Sequence, residues 1–173
     1  MDPTLEKQFA AFSAGKLEEL TQRIDTCLAM LDDRQIWSRG GGNENAIGNL
    51  VLHLCGNVRQ WIVSGVGGAP DVRQRDGEFA AQGGLPGAEL AARLHATVNE
   101  ATQVIRSRTP ERLSRRFVVQ GYDVSELEAI YHVVEHFSMH TGQVLFATKI
   151  LTGKDLGFYR HLQGASQYNP PTP

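Results

Sequence analysis

The 173-residue sequence has few cysteines, little net charge and no long uninterrupted apolar run. Cys27 and Cys55 are its two cysteines, and because no Cys-x-x-Cys spacing occurs, we interpret both as small buried apolar residues. The formal net charge is -2 without a dense Lys/Arg run, which disfavours nucleic-acid binding. Apolar stretches fall well short of the ~20 residues that span a bilayer, and the first residues do not resemble a signal peptide. These absences predict a cytoplasmic protein with no nucleic-acid or membrane partner.

What is present is typical of a single globular domain. Hydrophobic residues make up 41% of the sequence and charged residues 21%, which is ordinary for a folded protein. The length suffices for one core and is short for two. We therefore predict one domain over residues 1–173, with its core at about 3–152 and an irregular, proline-containing C-terminal arm at 153–173.

Apolar residues recurring at helical spacing predict four long helices. Asp2-Pro3 is a start signal for the first, Asn45 a candidate cap for the second, and Ser125 with Glu128 a capping box for the fourth. The predicted ranges are 3–32, 46–64, 86–108 and 125–151. This pattern predicts an all-α protein, an antiparallel four-helix bundle.

Two connecting segments lack helical periodicity. Residues 65–84 carry glycines, a proline and scattered charge, which predicts a long crossover loop with short turns. Residues 117–122 have strand-like composition, but we expect an extended connector there and no sheet, because no partner strand is evident.

Histidines are concentrated in the second and fourth predicted helices. His132, His136 and His140 repeat every fourth residue, and His53 lies on the apolar face of the second helix. Residues four apart on a helix lie on one face about 6 Å apart, so two imidazoles can bind one ion at bonds of about 2.0–2.1 Å. The triplet drifts about 80° around the helix, so spacing alone does not choose the pair. Isolated histidines in such positions are often ordinary core or surface residues.

Two sequence stretches resemble the DinB/YfiT-like superfamily of metal-binding four-helix bundles. They are residues 49–57, Asn-Leu-Val-Leu-His-Leu-Cys-Gly-Asn, and residues 136–143, His-Phe-Ser-Met-His-Thr-Gly-Gln. The resemblance implies that His53, His136 and His140 are ligands of a divalent ion, zinc or nickel. It leaves His132 and Glu135 outside the ligand set, where either can orient a ligand ring.

The resemblance also implies a range of activities. Relatives include transferases that pass a metal-activated low-molecular-weight thiol to an electrophile, a thiol-dependent isomerase, and members with no known reaction. The expected function is a metal-dependent thiol transferase or a hydrolase of a small molecule. The alternatives are a non-catalytic metal-binding bundle and a homodimeric interaction bundle; a homodimer is compatible with all of these. No catalytic residue is assigned.

Other candidate binding residues belong to no recognisable motif. On the second helix Asn57, Trp61 and Arg59, and on the fourth Gln143, are candidates for a pocket mouth, although each also has an ordinary structural interpretation. The charged residues of the crossover segment are candidates for a lid, but a solvated loop is the more ordinary interpretation. These are Asp71, Arg73, Arg75 and Asp76.

Overall fold

Four long helices form a bundle in the computed structural model, which describes residues 4–162. They are α1 (Leu5–Ala29), α3 (Ile47–Val58), α5 (Gly87–Arg106) and α7 (Glu126–Thr152). Helix α1 packs against α5 and α7, and α3 packs against the same two helices, which places α1 and α3 diagonally across the bundle. The predicted all-α bundle is confirmed.

The core consists of apolar side chains contributed by all four long helices. Fully buried examples are Leu17 and Ile24 on α1, Leu54 on α3, Leu94 and Ile105 on α5, and Ile130 and Phe137 on α7. Within residues 4–162, no helix has both the length and the apolar character that crossing a bilayer requires.

Short helices occupy the connections between the long ones. They are α2 (Asp33–Ile36), α4 (Arg75–Ala80), α6 (Pro110–Leu113) and a 3-10 turn at Arg160–Leu162. The predicted crossover loop therefore contains a helix, α4. Of the predicted C-terminal arm, residues 163–173 lie outside the described residues, as does the predicted start signal at residues 2 and 3.

Helix ends follow local capping chemistry more closely than the predicted boundaries did. The Ser125 capping box and the left-handed Gly153 that ends α7 are both present. The first helix ends at Ala29 rather than near Asp32, because Asp32 caps α2. The predicted Asn45 cap is wrong: α3 begins after Ala46, whose N–H donates to Asn49 Oδ1 at 3.1 Å.

Helix α3 continues without a break into a π-helix, Arg59–Val66. The predicted second helix is thus one continuous rod, but its last eight residues have wider turns than an α-helix. Gly65 lies where this segment meets Phe117, and a Cβ at Gly65 would collide with that ring.

A β-hairpin stands where we predicted a connector without a sheet, so that prediction is wrong. Strands β1 (Arg116–Val119) and β2 (Tyr122–Ser125) are antiparallel. Gln120 and Gly121 have φ angles of 51° and 81°, the positive values that a tight two-residue hairpin turn requires. Strand β2 runs directly into the cap of α7, so its four residues carry little strand signal of their own.

Candidate metal centre

Three histidines from two helices converge beside the bundle core. His53 on α3 is 5% exposed, and His136 and His140 on α7 are half-buried. One ring nitrogen from each lies within 4.8 Å of the other two, so the group can hold a metal ion. The Nε2 atoms of His53 and His136 are 2.9 Å apart. Tetrahedral zinc places ligand nitrogens about 3.3 Å apart, so this pair needs to separate by only a few tenths of an ångström to share an ion.

Two side-chain oxygens orient the imidazoles of His53 and His140. His53 Nδ1 lies 3.0 Å from Glu78 Oε2, and His140 Nδ1 lies 2.6 Å from Gln143 Oε1. An oxygen acceptor at Nδ1 favours the proton there and leaves the Nε2 lone pair for a metal ion. At His53 the Glu78 carboxylate is this acceptor, and Arg73 Nη2 also lies 3.1 Å from the same nitrogen. The donor set and its supporting hydrogen bonds therefore fit a divalent cation.

Neither His132 nor Glu135 forms a hydrogen bond with the three histidines in the described part of the chain. The His132 ring packs on Trp61, with ring centroids 4.2 Å apart, and stacks on His136 at 5.6 Å. Glu135 is exposed. The orienting roles that we considered for these two belong instead to Glu78, which sequence reasoning missed, and Gln143, which it placed at a pocket mouth.

Glu78 is itself held by a buried arginine. Arg73 donates from Nε to Oε1 and from Nη2 to Oε2 of Glu78, both at 2.8 Å, and the two side chains are 4% and 10% exposed. Burial raises the pKa of Glu78, but the hydrogen bonds from Arg73 and His53 outweigh burial and hold that pKa below its ordinary value. The group that faces His53 is therefore a carboxylate.

Gly56 makes room for this carboxylate. It lies three residues after His53, on the same side of α3, and a Cβ built on it would overlap Glu78 Oε1 and come within 2.9 Å of Arg73 Nε. A larger residue at position 56 would displace Glu78 from His53.

The imidazoles on α7 are held in their neutral form. Burial, together with the neighbouring His140 and His53, lowers the pKa of His136 to about 3. Burial also lowers the pKa of His140, although the hydrogen bond to Gln143 opposes that effect. Neutral imidazole is the form that binds metal ions, so these rings need no deprotonation at neutral pH.

A cavity of about 470 Å³ opens next to the histidines. It lies between α3 with its π-helix, the loop before α4, the hairpin and α7. Its lining residues are His53, Asn57, Trp61, Arg73, Arg75, Gln120, Tyr122, Val124, His132 and His136.

Some of the other candidate binding residues line this cavity and others do not. Asn57 and Trp61 line it, as do Arg73 and Arg75 of the crossover segment. Arg59 instead pairs with Glu100 on the surface at 2.6 Å. Gln143 lies outside this cavity and borders a second hollow of about 510 Å³. Asp71 and Asp76 line neither.

The Gln60 side chain connects the parts that surround the cavity. Its Nε2 donates to Asp71 Oδ2 at 2.7 Å, and its Oε1 accepts from Arg73 at 2.9 Å and from Gln120 at 2.6 Å. The π-helix, the loop before α4 and the hairpin turn thus meet at the Gln60 side chain. Through Arg73, this side chain is also connected to Glu78.

The fold and the site together define a helical bundle with a three-histidine group that can hold a metal ion. The chain belongs to the family described as "Protein of unknown function (DUF1572)", whose model matches residues 5–162. No curated protein matches the sequence. The crystal structure of "the conserved protein of locus from Enterococcus faecalis" is similar, with a TM-score of 0.72 and 15% identity. The similarity covers 83% of this chain and 97% of that one, and it shows a shared fold. Neither description names the DinB/YfiT-like superfamily, so that resemblance stays a prediction.

Proposed function

We propose that this protein binds one divalent metal ion through His53, His136 and His140 and uses it to transform a small molecule. The observation that carries the proposal is the convergence of one nitrogen from each ring within 4.8 Å. Support comes from the acceptor oxygens of Glu78 and Gln143, which fix two of the rings. Imidazole ligands suit zinc and nickel, the two metals that we expect.

The proposed reaction is the transfer of a low-molecular-weight thiol to an electrophilic acceptor, with hydrolysis of a small molecule as the alternative. Three neutral imidazoles leave a bound ion its full charge, with which it would stabilise a thiolate or lower the pKa of water. The chain's own contribution is positional: Glu78 and Gln143 hold the rings, and the cavity wall at Trp61 confines the substrate beside them.

Metal content tests the binding step. Protein purified without a histidine tag would be analysed for metals, beside a His53→Ala variant and a His95→Ala control. His95 is exposed and pairs with Asp25 away from the site, so the control removes an imidazole without touching the group. We expect about one ion per chain in the parent and the control, and a loss of at least tenfold in His53→Ala. A parent without stoichiometric metal contradicts the proposal.

A second assay separates an enzyme from a binder. Metal-loaded protein would be screened with several thiols and an electrophilic acceptor, and with activated esters, by measuring conjugate or product. The His140→Ala variant is the control, because it removes a proposed ligand. Turnover equal to that of the control, in protein that holds metal, contradicts catalysis and favours the non-catalytic metal-binding bundle.

An exposed apolar face on α7 favours a second candidate role, as a homodimeric bundle. Met139, Phe146 and Ile150 are 55%, 67% and 68% exposed, and their spacing of seven and four places them on one side of the helix. We propose that this face contacts a second copy of the chain. Light scattering coupled to gel filtration should give a dimer mass for the parent and a monomer mass for Phe146→Glu, while Phe12→Glu on α1 stays dimeric. A monomeric parent contradicts the proposal.

A further inference from the structure

The cavity beside the histidines has a positive wall. Its lining contains two arginines and no acidic residue. The charge of Arg73 is neutralised by Glu78, whereas Arg75 makes no hydrogen bond or ion pair with any residue between 4 and 162. The Arg75 guanidinium lies 5.1 Å from the centre of the Phe79 ring, and that ring lies 4.7 Å from the His53 ring. A cation without an acidic partner thus lines the same cavity as His53, separated from that ring by Phe79, which favours an anionic ligand.

Another part of the wall is aromatic. The Trp61 indole lies between His132 and Tyr122, with ring centroids 4.2 Å and 6.5 Å away. Val124 continues this apolar surface. Tyr122 is 64% exposed, so its ring can pack on the flat face of a planar ligand. A volume near 470 Å³ lies within the range of small-molecule sites.

Two polar atoms of wall residues have unused hydrogen-bonding capacity. Asn57 Oδ1 and Trp61 Nε1 are buried and have no hydrogen-bond partner in the described part of the chain. Both residues are only 4% exposed, and an unsatisfied buried polar group costs free energy. Trp61 belongs to the π-helix, a backbone form that is frequent at functional sites. Two unpaired buried polar atoms and a π-helix thus distinguish this wall from an ordinary helix packing surface.

We propose that this cavity binds a small carboxylate with a planar, conjugated or aromatic body. Arg75 pairs with the carboxylate, and the body lies along the exposed Tyr122 ring, next to the small part of Trp61 that reaches the cavity. The ligand is thereby held beside His53 and His136. This inference rests on the proposed function, because it assigns the cavity as the substrate site of the metal centre.

Tryptophan indole signals report binding directly. The chain has two tryptophans, and Trp37 Nε1 already donates to Leu85 O at 2.8 Å, away from the cavity. Metal-free, ¹⁵N-labelled protein would be titrated with benzoate, and the two indole N–H peaks assigned with a Trp61→Phe variant. We expect a saturable shift of the Trp61 peak while the Trp37 peak stays in place. A Trp61 peak that does not move, or two peaks that move together, overturns the proposal.

Matched ligands and variants test the two recognition elements. Benzamide lacks the charge and cyclohexanecarboxylate lacks the planar ring, so both should bind at least about fivefold more weakly than benzoate. Arg75→Gln should weaken benzoate binding about fivefold or more, whereas Arg93→Gln, an exposed arginine on α5 that pairs with Glu89, should not. Equal affinity for benzoate and benzamide, or an Arg75→Gln variant that binds like the parent, overturns the assignment of Arg75.

The carboxylate can belong to the acceptor or to the thiol, and a further titration distinguishes these sources. Glutathione carries carboxylates without a planar body, so it should shift the Trp61 peak less than benzoate at equal concentration. A larger shift with glutathione overturns the claim of a planar ligand. Because all titrations use metal-free protein, they succeed or fail independently of the metal analysis that tests the proposed function.

Discussion

The Gly56→Ala substitution tests how the carboxylate and the imidazole on α3 depend on each other. Alanine favours a helix over glycine by about 1 kcal/mol, so on propensity alone the change would stabilise α3. At this position, however, the added Cβ overlaps Glu78 Oε1. Glu78 must withdraw, and the 3.0 Å contact to His53 Nδ1 is lost.

The magnitude follows from what that contact does for the imidazole. Losing the partner that orients a ligating histidine typically weakens metal binding about 10–100-fold, which is about 1.4–2.7 kcal/mol. The Glu78 side chain is only 10% exposed and is paired with Arg73, so water does not readily take its place beside His53. We therefore expect the upper half of that range.

Competition with a chromophoric chelator measures zinc affinity in refolded, metal-free protein. Gly15→Ala is the matched control, because Gly15 lies within α1 and its Cβ would meet nothing within 4 Å. A Glu78→Gln background adds a double-mutant cycle: if Gly56 acts through Glu78, Gly56→Ala should have little further effect there. Zinc affinity of Gly56→Ala within twofold of the parent, or full additivity with Glu78→Gln, would refute the reasoning.

Three further predictions concern other parts of the chain. Glu126→Gln should lower the free energy of unfolding by about 2–4 kcal/mol in guanidinium titrations, because this 1% exposed carboxylate pairs with Arg112 at 3.0 Å. Gln143→Ala should weaken zinc binding about tenfold, since it removes the 2.6 Å contact to His140 Nδ1. Burial raises the pKa of the Cys27 thiol, so at pH 8 its reaction with a disulfide reagent should be about 100-fold slower than in denaturant.

The stability and thiol predictions each have a control in the same chain. Glu111→Gln removes an exposed carboxylate near the same arginines and should change unfolding by less than about 0.5 kcal/mol. The Cys27 rate is read in a Cys55→Ala background, and it should rise with pH because a raised pKa keeps the thiol protonated at pH 8. A fast Cys27 reaction in the native state, or unchanged stability of Glu126→Gln, would contradict the burial on which these predictions depend.

Helix α7 was predictable because its signals are local. The Ser125 capping box, the histidine spacing and the terminal Gly153 all lie in one continuous stretch and act through bonds across one turn. The hairpin was missed for the opposite reason. Its second strand has four residues and ends at the helix cap, so pairing with the first strand is evident only in three dimensions.

The candidate site was predictable in its histidines and not in their supporting residues. Helix spacing indicated a histidine pair on α7, and the place of His53 on an apolar helix face made it the candidate third ligand. The resemblance then selected His136 and His140 from the three histidines of α7. Glu78 lies 25 residues from His53 in a segment without periodicity, and no spacing rule joins them. The one local signal was Gly56, because a glycine inside an apolar helical pattern often marks a close approach by another group. The π-helix has no sequence signal that we recognise.

The contacts of Gln60 would couple the two proposed binding equilibria, of the metal ion and of the ligand in the cavity. This side chain touches the hairpin turn through Gln120 and the partner of Glu78 through Arg73. A ligand in the cavity that moves the hairpin would therefore also move Gln60 and Arg73, and with them the Glu78 carboxylate that contacts the His53 ring. Thermodynamic reciprocity then requires that metal binding change the affinity for the ligand by the same factor as the ligand changes the affinity for the metal. Replacing Gln60 with alanine should uncouple the two without removing a contact to either.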